Sequence, residues 1–386
     1  MATSPMNVRR IFHDMPKERI ADIQVLSGTM LFGVGFLGQR ELFMEGMSIF
    51  YCNAARFFLS FVLLLLLLPL LPKKTDDRKE DDVEAMALLG NDILVEEKQS
   101  WIKFILCRDY KTLFWSSILG TINFIASAVQ QDAVSKTTAG KVAFISGFSV
   151  ILVPIFQYLM SRYHTNNELE NNKYIPPISK SSSPMPQANL ESKEQINKAM
   201  IIAIIMSVIG LYFMSGTNIH EIEPGLGELL SLISCVFWAF HIIYTDTSTT
   251  QVDIFPMVML QFLIVASLSF ITALIFERGK YSWDHLFLYF PWLLFLSTTE
   301  GLGFLLIALG QKTSSPTSVA LFTQLEGLFA SIAQYIFLNE ELSRNECIGA
   351  VLMVAATYVS KSTTVNVWLS RDRESFLSTP NKNSTK

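Results

Sequence analysis

Four strongly charged side chains stand inside long apolar stretches of this 386-residue chain: Arg56, Lys141, Glu300 and Glu326. An ionisable group at mid-bilayer costs roughly 2.5–3.5 kcal/mol on insertion scales. Each such residue therefore needs a partner, an aqueous cavity or a function. Glu300 and Glu326 lie near the middle of their stretches and are too short to reach an interface. The chemistry open to them is contact with a solute or reversible protonation, with a helix–helix hydrogen bond as the structural alternative. Arg56 and Lys141 are long enough to snorkel. They are read as counter-charges, anion contacts or simple structural partners. Asn53, Gln130, His241, Tyr244, Gln261, Thr323 and Gln324 add neutral polarity in or near the same stretches. Phe32 and Trp238 hold corresponding places in the motifs FGVG and WAFH. There they could stack on an organic solute or pack against other rings.

Enzymatic chemistry finds little footing. Of the five histidines only His241 is inside an apolar stretch, no His/Cys/Asp cluster has metal-ligand spacing, and no glycine-rich phosphate loop follows a strand. The cysteines Cys52, Cys107, Cys235 and Cys347 are scattered and form no CxxC pair; Cys52 and Cys235 read as buried apolar fillers. No catalytic residue, metal site or cofactor is expected. A net charge of −4 without a basic stripe gives no reason to expect nucleic acid.

The elements that must position these residues are membrane helices. Half of the chain is hydrophobic and only 17% is charged. About twenty residues with few charges suffice to cross a bilayer as a helix. Ten such segments can be counted: 21–38, 47–70, 111–130, 137–160, 198–216, 226–245, 254–276, 287–310, 315–337 and 345–362. Pro154 is expected to kink the fourth, and Gly147 and Gly327 are candidate hinges. Two polar insertions interrupt the first half. Residues 71–110 open with KKTDDRKEDDVE, a mixed-charge run unable to build a core, and 161–197 read as an Asn-, Ser- and Pro-rich linker. Residues 1–20 lack the apolar centre of a signal peptide.

With the N-terminus placed in the cytosol, most of the 30 Lys and Arg fall on the cytosolic side, and the opposite side carries only Arg40, Lys136, Arg278, Lys280 and Arg344. An even span count returns the tail to the cytosol. Within this layout one pattern occurs twice. Val142-Ala143 precedes Gln157-Tyr158 by fifteen residues, and Val319-Ala320 precedes Gln334-Tyr335 by the same distance, 177 residues later. The same offset relates Asn123 to Glu300 and Ser149 to Glu326, with a one-residue gap in the alignment around residue 140 on the Asn123 side. Five spans per half is an odd number, so the two copies lie on antiparallel helices, as in the inverted-repeat carriers whose sites lie between halves. Asn123 thereby joins the candidates as the counterpart of an acid.

Residues 308–353, ALGQKTSSPTSVALFTQLEGLFASIAQYIFLNEELSRNECIGAVLM, resemble the signature end of the EamA-type carriers of the drug/metabolite transporter superfamily. Their pattern places Leu-Glu-Pro in the ninth span, then an apolar run, a Gly-Glu turn and a glycine-rich last helix. Leu325-Glu326 matches, Gly327 stands where Pro is usual, and Asn339-Glu340 takes the place of the turn. The fourth span (KTTAGKVAFISGFSVILVPIFQYLM) and the sixth (GELLSLISCVFWAFHIIYTD) are similar to their counterparts in that family. The resemblance implies an all-α polytopic membrane protein: ten transmembrane helices as two inverted five-helix repeats around a central cavity, with the fifth and tenth peripheral. It also implies movement of small organic molecules by alternating access, without specifying the substrate.

The expected organisation is a cytosolic N-terminus (1–20), a first repeat (21–216), a second repeat (217–363) and a cytosolic tail (364–386). The expected function is a secondary transporter of a small organic solute, with Glu326 and Glu300 as solute or proton-coupling groups. The alternatives are a non-transporting receptor or scaffold that uses 71–110 as its partner surface, and an intramembrane enzyme built on the two acids. Protons and a second copy of the chain complete the candidate partners. The location is multi-pass in the plasma membrane or an endomembrane, and Glu84 with Leu88-Leu89 resembles an acidic dileucine sorting signal.

Overall fold

The computed structural model describes residues 15–44, 46–68, 110–134, 136, 142, 145–172, 198–214, 225–279, 287–339, 341 and 343–361. Lys141, most of both polar insertions and the tail lie outside them. Among the described residues every regular element is a helix. In chain order these are α1 (Lys17–Met44), α2 (Ile49–Leu67), α3 (Tyr110–Val134), α4 (Ser149–Asn172), α5 (Lys198–Met214), α6 (Leu226–Thr249), α7 (Ile254–Phe276), α8 (Phe290–Gln311), α9 (Pro316–Thr323), α10 (Glu326–Leu338) and α11 (Arg344–Lys361). Seven stretches are long and apolar enough to cross a bilayer: α1, α2, α3, α6, α7, α8, and α9 with α10 taken together. The outer faces carry exposed Leu66, Phe276, Phe337 and Val351, each at least two-thirds accessible. Apolar surface on this scale needs lipid around it. The chain is an integral multi-pass membrane protein.

Contacts between named residues fix the relative direction of the helices. Gly28 packs on Gly303 and Ile307 while Gly310 packs on Ala21 and Val25, so α1 and α8 are antiparallel. In α5 and α11, Gly210 meets Met353 and Gly349 meets Met214, again antiparallel. The Ser116 hydroxyl donates to the Met257 carbonyl, and Gly120 abuts the Gln261 carbonyl, so α3 and α7 are parallel. Glycine at these crossings removes the side chain that would hold two backbones apart, which is how helices gain close contact where lipid offers no hydrophobic driving force.

Two features differ from the sequence expectation. The ninth span is not continuous: α9 ends at Thr323, Gln324 and Leu325 form a turn, and α10 starts at Glu326. No proline causes this break, and Gly327 lies one residue inside α10. In the fourth span, Gly147 and Phe148 form a turn immediately before α4 begins at Ser149. Adding 177 to 147, 148 and 149 gives 324, 325 and 326, so both breaks fall at one repeat position. Second, α4 continues as far as Asn172, so 161–172 are helical rather than linker.

One cap is supplied from far along the chain. Ser48 precedes α2 but its side chain does not cap it. The Glu277 carboxylate accepts from the Phe50 and Tyr51 amides instead, at 3.1 and 3.2 Å. These are donors that a helix start leaves without partners, and the N-terminal helix dipole favours the negative charge. Glu277→Ala is expected to lower stability by about 1–2 kcal/mol, the loss typical of an N-cap, and Glu277→Gln by less. Thermal unfolding of the purified protein in detergent measures both.

Candidate functional site

At the centre of the helices lies a cavity of about 570 Å³. Every described helix except α5 and α11 contributes a lining residue. The cavity is therefore lined from both halves of the chain, with α5 and α11 outside its lining.

Its wall holds three strongly charged side chains among the described residues. Arg56 of α2 and Glu300 of α8 form an ion pair at 2.5 Å, with side chains 4% and 14% accessible. The Arg56 guanidinium also lies 4.9 Å from the centre of the Phe57 ring, a cation–π arrangement. Glu326 enters the cavity from the first turn of α10. Among the described residues it has no ion-pair or hydrogen-bond partner.

An aromatic cluster faces these charges. Phe304 of α8 is its hub, touching Phe32 edge-on at 4.8 Å, Phe262 at 5.6 Å, His241 at 5.8 Å, and Phe57 and Trp238 at 6.3 Å. The Trp238 indole N–H donates to Gln130 Oε1 at 3.0 Å, and Gln130 Nε2 donates to the Ser146 hydroxyl at 3.3 Å. This chain fixes the indole plane and ties α6 to α3 and to the segment before α4. His241 Nε2 and Gln261 Nε2 lie 3.0 Å apart. A hydrogen bond there requires the histidine nitrogen to accept, which makes Nδ1 the protonated position in the neutral ring.

The predicted residues thus divide. Phe32, Arg56, Trp238, His241, Glu300 and Glu326 line the cavity together. Asn53 sits behind the wall, its Oδ1 accepting from the lining residue Gln131 at 2.8 Å. Gln324 turns outward and donates to Ser207 of α5 at 2.7 Å. Asn123 is fully buried in α3, and neither atom of its amide has a partner among the described residues. Lys141 lies outside the described residues. No group of three or more His, Cys, Asp or Glu able to hold a metal exists among the described residues.

Residues 225–361 match the EamA-like transporter family. This half of the molecule contains α6 to α11, and with them Glu300, Glu326, Trp238, His241 and Phe304. No curated protein matches the chain. A solved structure titled only "Crystal structure of protein" superposes with a TM-score of 0.61 at 12% identity, covering 90% of this chain and 98% of that one. At that identity the likeness establishes a shared fold. It extends well beyond residues 225–361, into the first half of the chain.

Several wall residues carry no signal in their type. Phe304 is one of 29 phenylalanines, and its central place follows only from where α8 crosses α1 and α6. The repeat offset does find it: 177 residues earlier stands Ser127, which lines the same cavity. A second register appears between α2 and α7. Ile49-Phe50 and Arg56-Phe57 correspond to Ile254-Phe255 and Gln261-Phe262, each 205 residues later. Arg56 and Gln261 both line the cavity. The ion pair Arg56–Glu300 therefore has Gln261 and Asn123 as its uncharged counterparts.

Proposed function

We propose that the chain is a secondary carrier that moves a small organic solute by alternating access. In this reading ten spans form two inverted five-helix repeats, with α9 and α10 as one discontinuous span and both termini in the cytosol. The observation that carries it is the central cavity, lined from both halves at counterpart positions: Ser127 with Phe304, Ser149 with Glu326, Arg56 with Gln261, and Phe32 with Trp238. Contacts support the same symmetry. Exchanging the halves turns the α1–α8 packing into that of α6 on α3, and the α3–α7 packing into that of α8 on α2. One pair of counterparts touches, Phe57 with Phe262. Groups on a pseudo-two-fold axis must do so. Breaks 177 residues apart in the fourth and ninth spans interrupt one helix of each half beside the cavity, a feature of carriers with discontinuous helices.

Glu326 is the assigned coupling group. It meets the cavity without a fixed partner, whereas Glu300 is held by Arg56. The test uses purified protein in liposomes incubated with a defined metabolite mixture, with lumenal contents read by mass spectrometry against protein-free vesicles. At least one solute is expected to enter faster with protein present, and Glu326→Gln is expected to remove the response of that flux to an imposed pH gradient. Equal lumenal contents in both preparations would refute the carrier reading.

A further inference from the structure

The break before α4 sets free two backbone groups, and one side chain takes both. In an unbroken helix each amide reaches the carbonyl four residues back, so Val150 would bond to Ser146. Here the Val150 amide turns to the Gly147 carbonyl at 3.2 Å, and the Phe148 amide bonds to Ile145 at 3.0 Å. The Ser146 carbonyl accepts instead from the Cys235 thiol of α6 at 3.3 Å, and the Ser149 amide donates to the same sulfur. A second link holds Ser146 by its side chain. Gln130 of α3 donates from Nε2 to the Ser146 hydroxyl at 3.3 Å and accepts at Oε1 from the Trp238 indole at 3.0 Å. An indole N–H can only donate, so it fixes which end of the amide faces Ser146. Trp238 and Cys235 are three residues apart on α6 and share a face. Ser146, Gln130, Trp238 and Cys235 thus close a ring across α3, α6 and the break. The other break is held differently. The hydroxyl of Thr323, 177 residues after Ser146, donates to Ala320 within its own helix, and Gln324 reaches Ser207 of α5, outside the cavity lining. Among the described residues, the side-chain bonds at the first break run to cavity-lining Gln130 and through it to Trp238, and those at the second do not.

We infer that Gln130 is a positioning residue: it ties the Trp238 ring plane to the break before α4, so that the indole cannot turn while the break keeps its shape. This deepens the carrier reading, on which its use in transport rests. The ring of bonds itself is tested without transport.

The experiment is amide hydrogen exchange of the full-length protein in detergent, read by mass spectrometry on peptides covering 145–152 and 323–328. Exchange reports local opening of the backbone. Gln130→Met, which keeps the length of the side chain and loses both bonds, is expected to raise exchange at 145–152 severalfold and to leave 323–328 unchanged. Ser146→Ala is expected to do the same, and the double variant no more than either alone, because both remove one link. Trp238→Phe removes only the indole donor and is expected to raise exchange at 145–152 through Gln130. The infrared S–H stretch of Cys235, assigned by its loss in Cys235→Val, is expected to move to higher frequency in Gln130→Met as the loosened break draws the Ser146 carbonyl from the thiol. A Gln130 that only filled space would leave that band in place. Unchanged exchange at 145–152 in Ser146→Ala or Trp238→Phe, effects that add in the double variant, or an unmoved S–H band would each overturn the inference. Should Gln130→Met fail to give a monodisperse protein, Ser146→Ala and Trp238→Phe decide by exchange and by the same band. Raised exchange with no solute entry into the liposomes leaves the tie and removes the carrier. Unchanged exchange with solute entry removes the tie and leaves the carrier.

Discussion

Arg56→Leu is expected to lower the stability of the folded protein by about 3–5 kcal/mol, the cost of breaking one side of a buried ion pair. The argument is electrostatic. Both partners sit deep in the bundle, and Glu300 Oε2 and Arg56 Nε have no other partner among the described residues, so the 2.5 Å contact carries the compensation. Removing the guanidinium leaves the Glu300 carboxylate without a counter-charge, in a wall that also holds a second acid, Glu326. Losing the Phe57 contact adds a smaller term. Fluorescence-detected size-exclusion after heating should show a fall in midpoint on the order of 10 °C, or loss of the monodisperse peak. The double variant Arg56→Gln with Glu300→Gln removes the charge imbalance and keeps the shape. It is expected to recover most of the loss, because neither amide carries a buried charge that needs a partner. A single variant as stable as the parent would mean that water or a counter-ion solvates Glu300 in solution.

Much of this arrangement was legible from residue spacing, and the reasons are physical. A bilayer imposes a fixed length on each crossing, so the spans could be read from apolar runs, and α6, α7 and α8 lie within a few residues of the expected limits. The offset of 177 could be read from the repeated Val-Ala and Gln-Tyr pairs, and it lands on both helix breaks. What could not be read depends on which way a helix face turns. Gln324 and Glu326 are two residues apart, yet one reaches outward to Ser207 and the other enters the cavity. Residues two apart on a helix already point roughly 200° apart, but nothing in their types says which of the two faces the cavity, and neither a proline nor a glycine at 324–325 announces the break. The pairing of Arg56 with Glu300 joins residues 244 apart and follows from the α2–α8 crossing. The family pattern drew attention to position 327, where proline is usual, whereas the chain breaks immediately before Glu326.

The break itself supplies the second large effect, through Gly33 rather than Gly327. A Cβ on Gly33 would stand 2.5 Å from Phe329 Cβ, 2.7 Å from the Glu326 carbonyl oxygen and 2.9 Å from the Ala330 nitrogen. Two of these three are backbone, so α10 rather than a side chain must yield. Glu326 belongs to the first turn of α10 and moves with it. Gly33→Leu is therefore expected to cost about 1–3 kcal/mol as overpacking, and to reduce solute flux by carrying the Glu326 carboxylate out of its place in the cavity wall. Gly327 presents the opposite case. Nothing lies within 4 Å of a Cβ built there, and its φ is not positive. Gly327→Ala should stabilise α10 by up to about 1 kcal/mol on helix propensity and leave binding unchanged. If α10 must bend at Gly327 during transport, the same alanine would slow flux while binding stays intact. If the joint is the Gln324-Leu325 turn, flux is unaffected. Measuring binding and flux on this one variant places the moving joint on one side of Glu326 or the other.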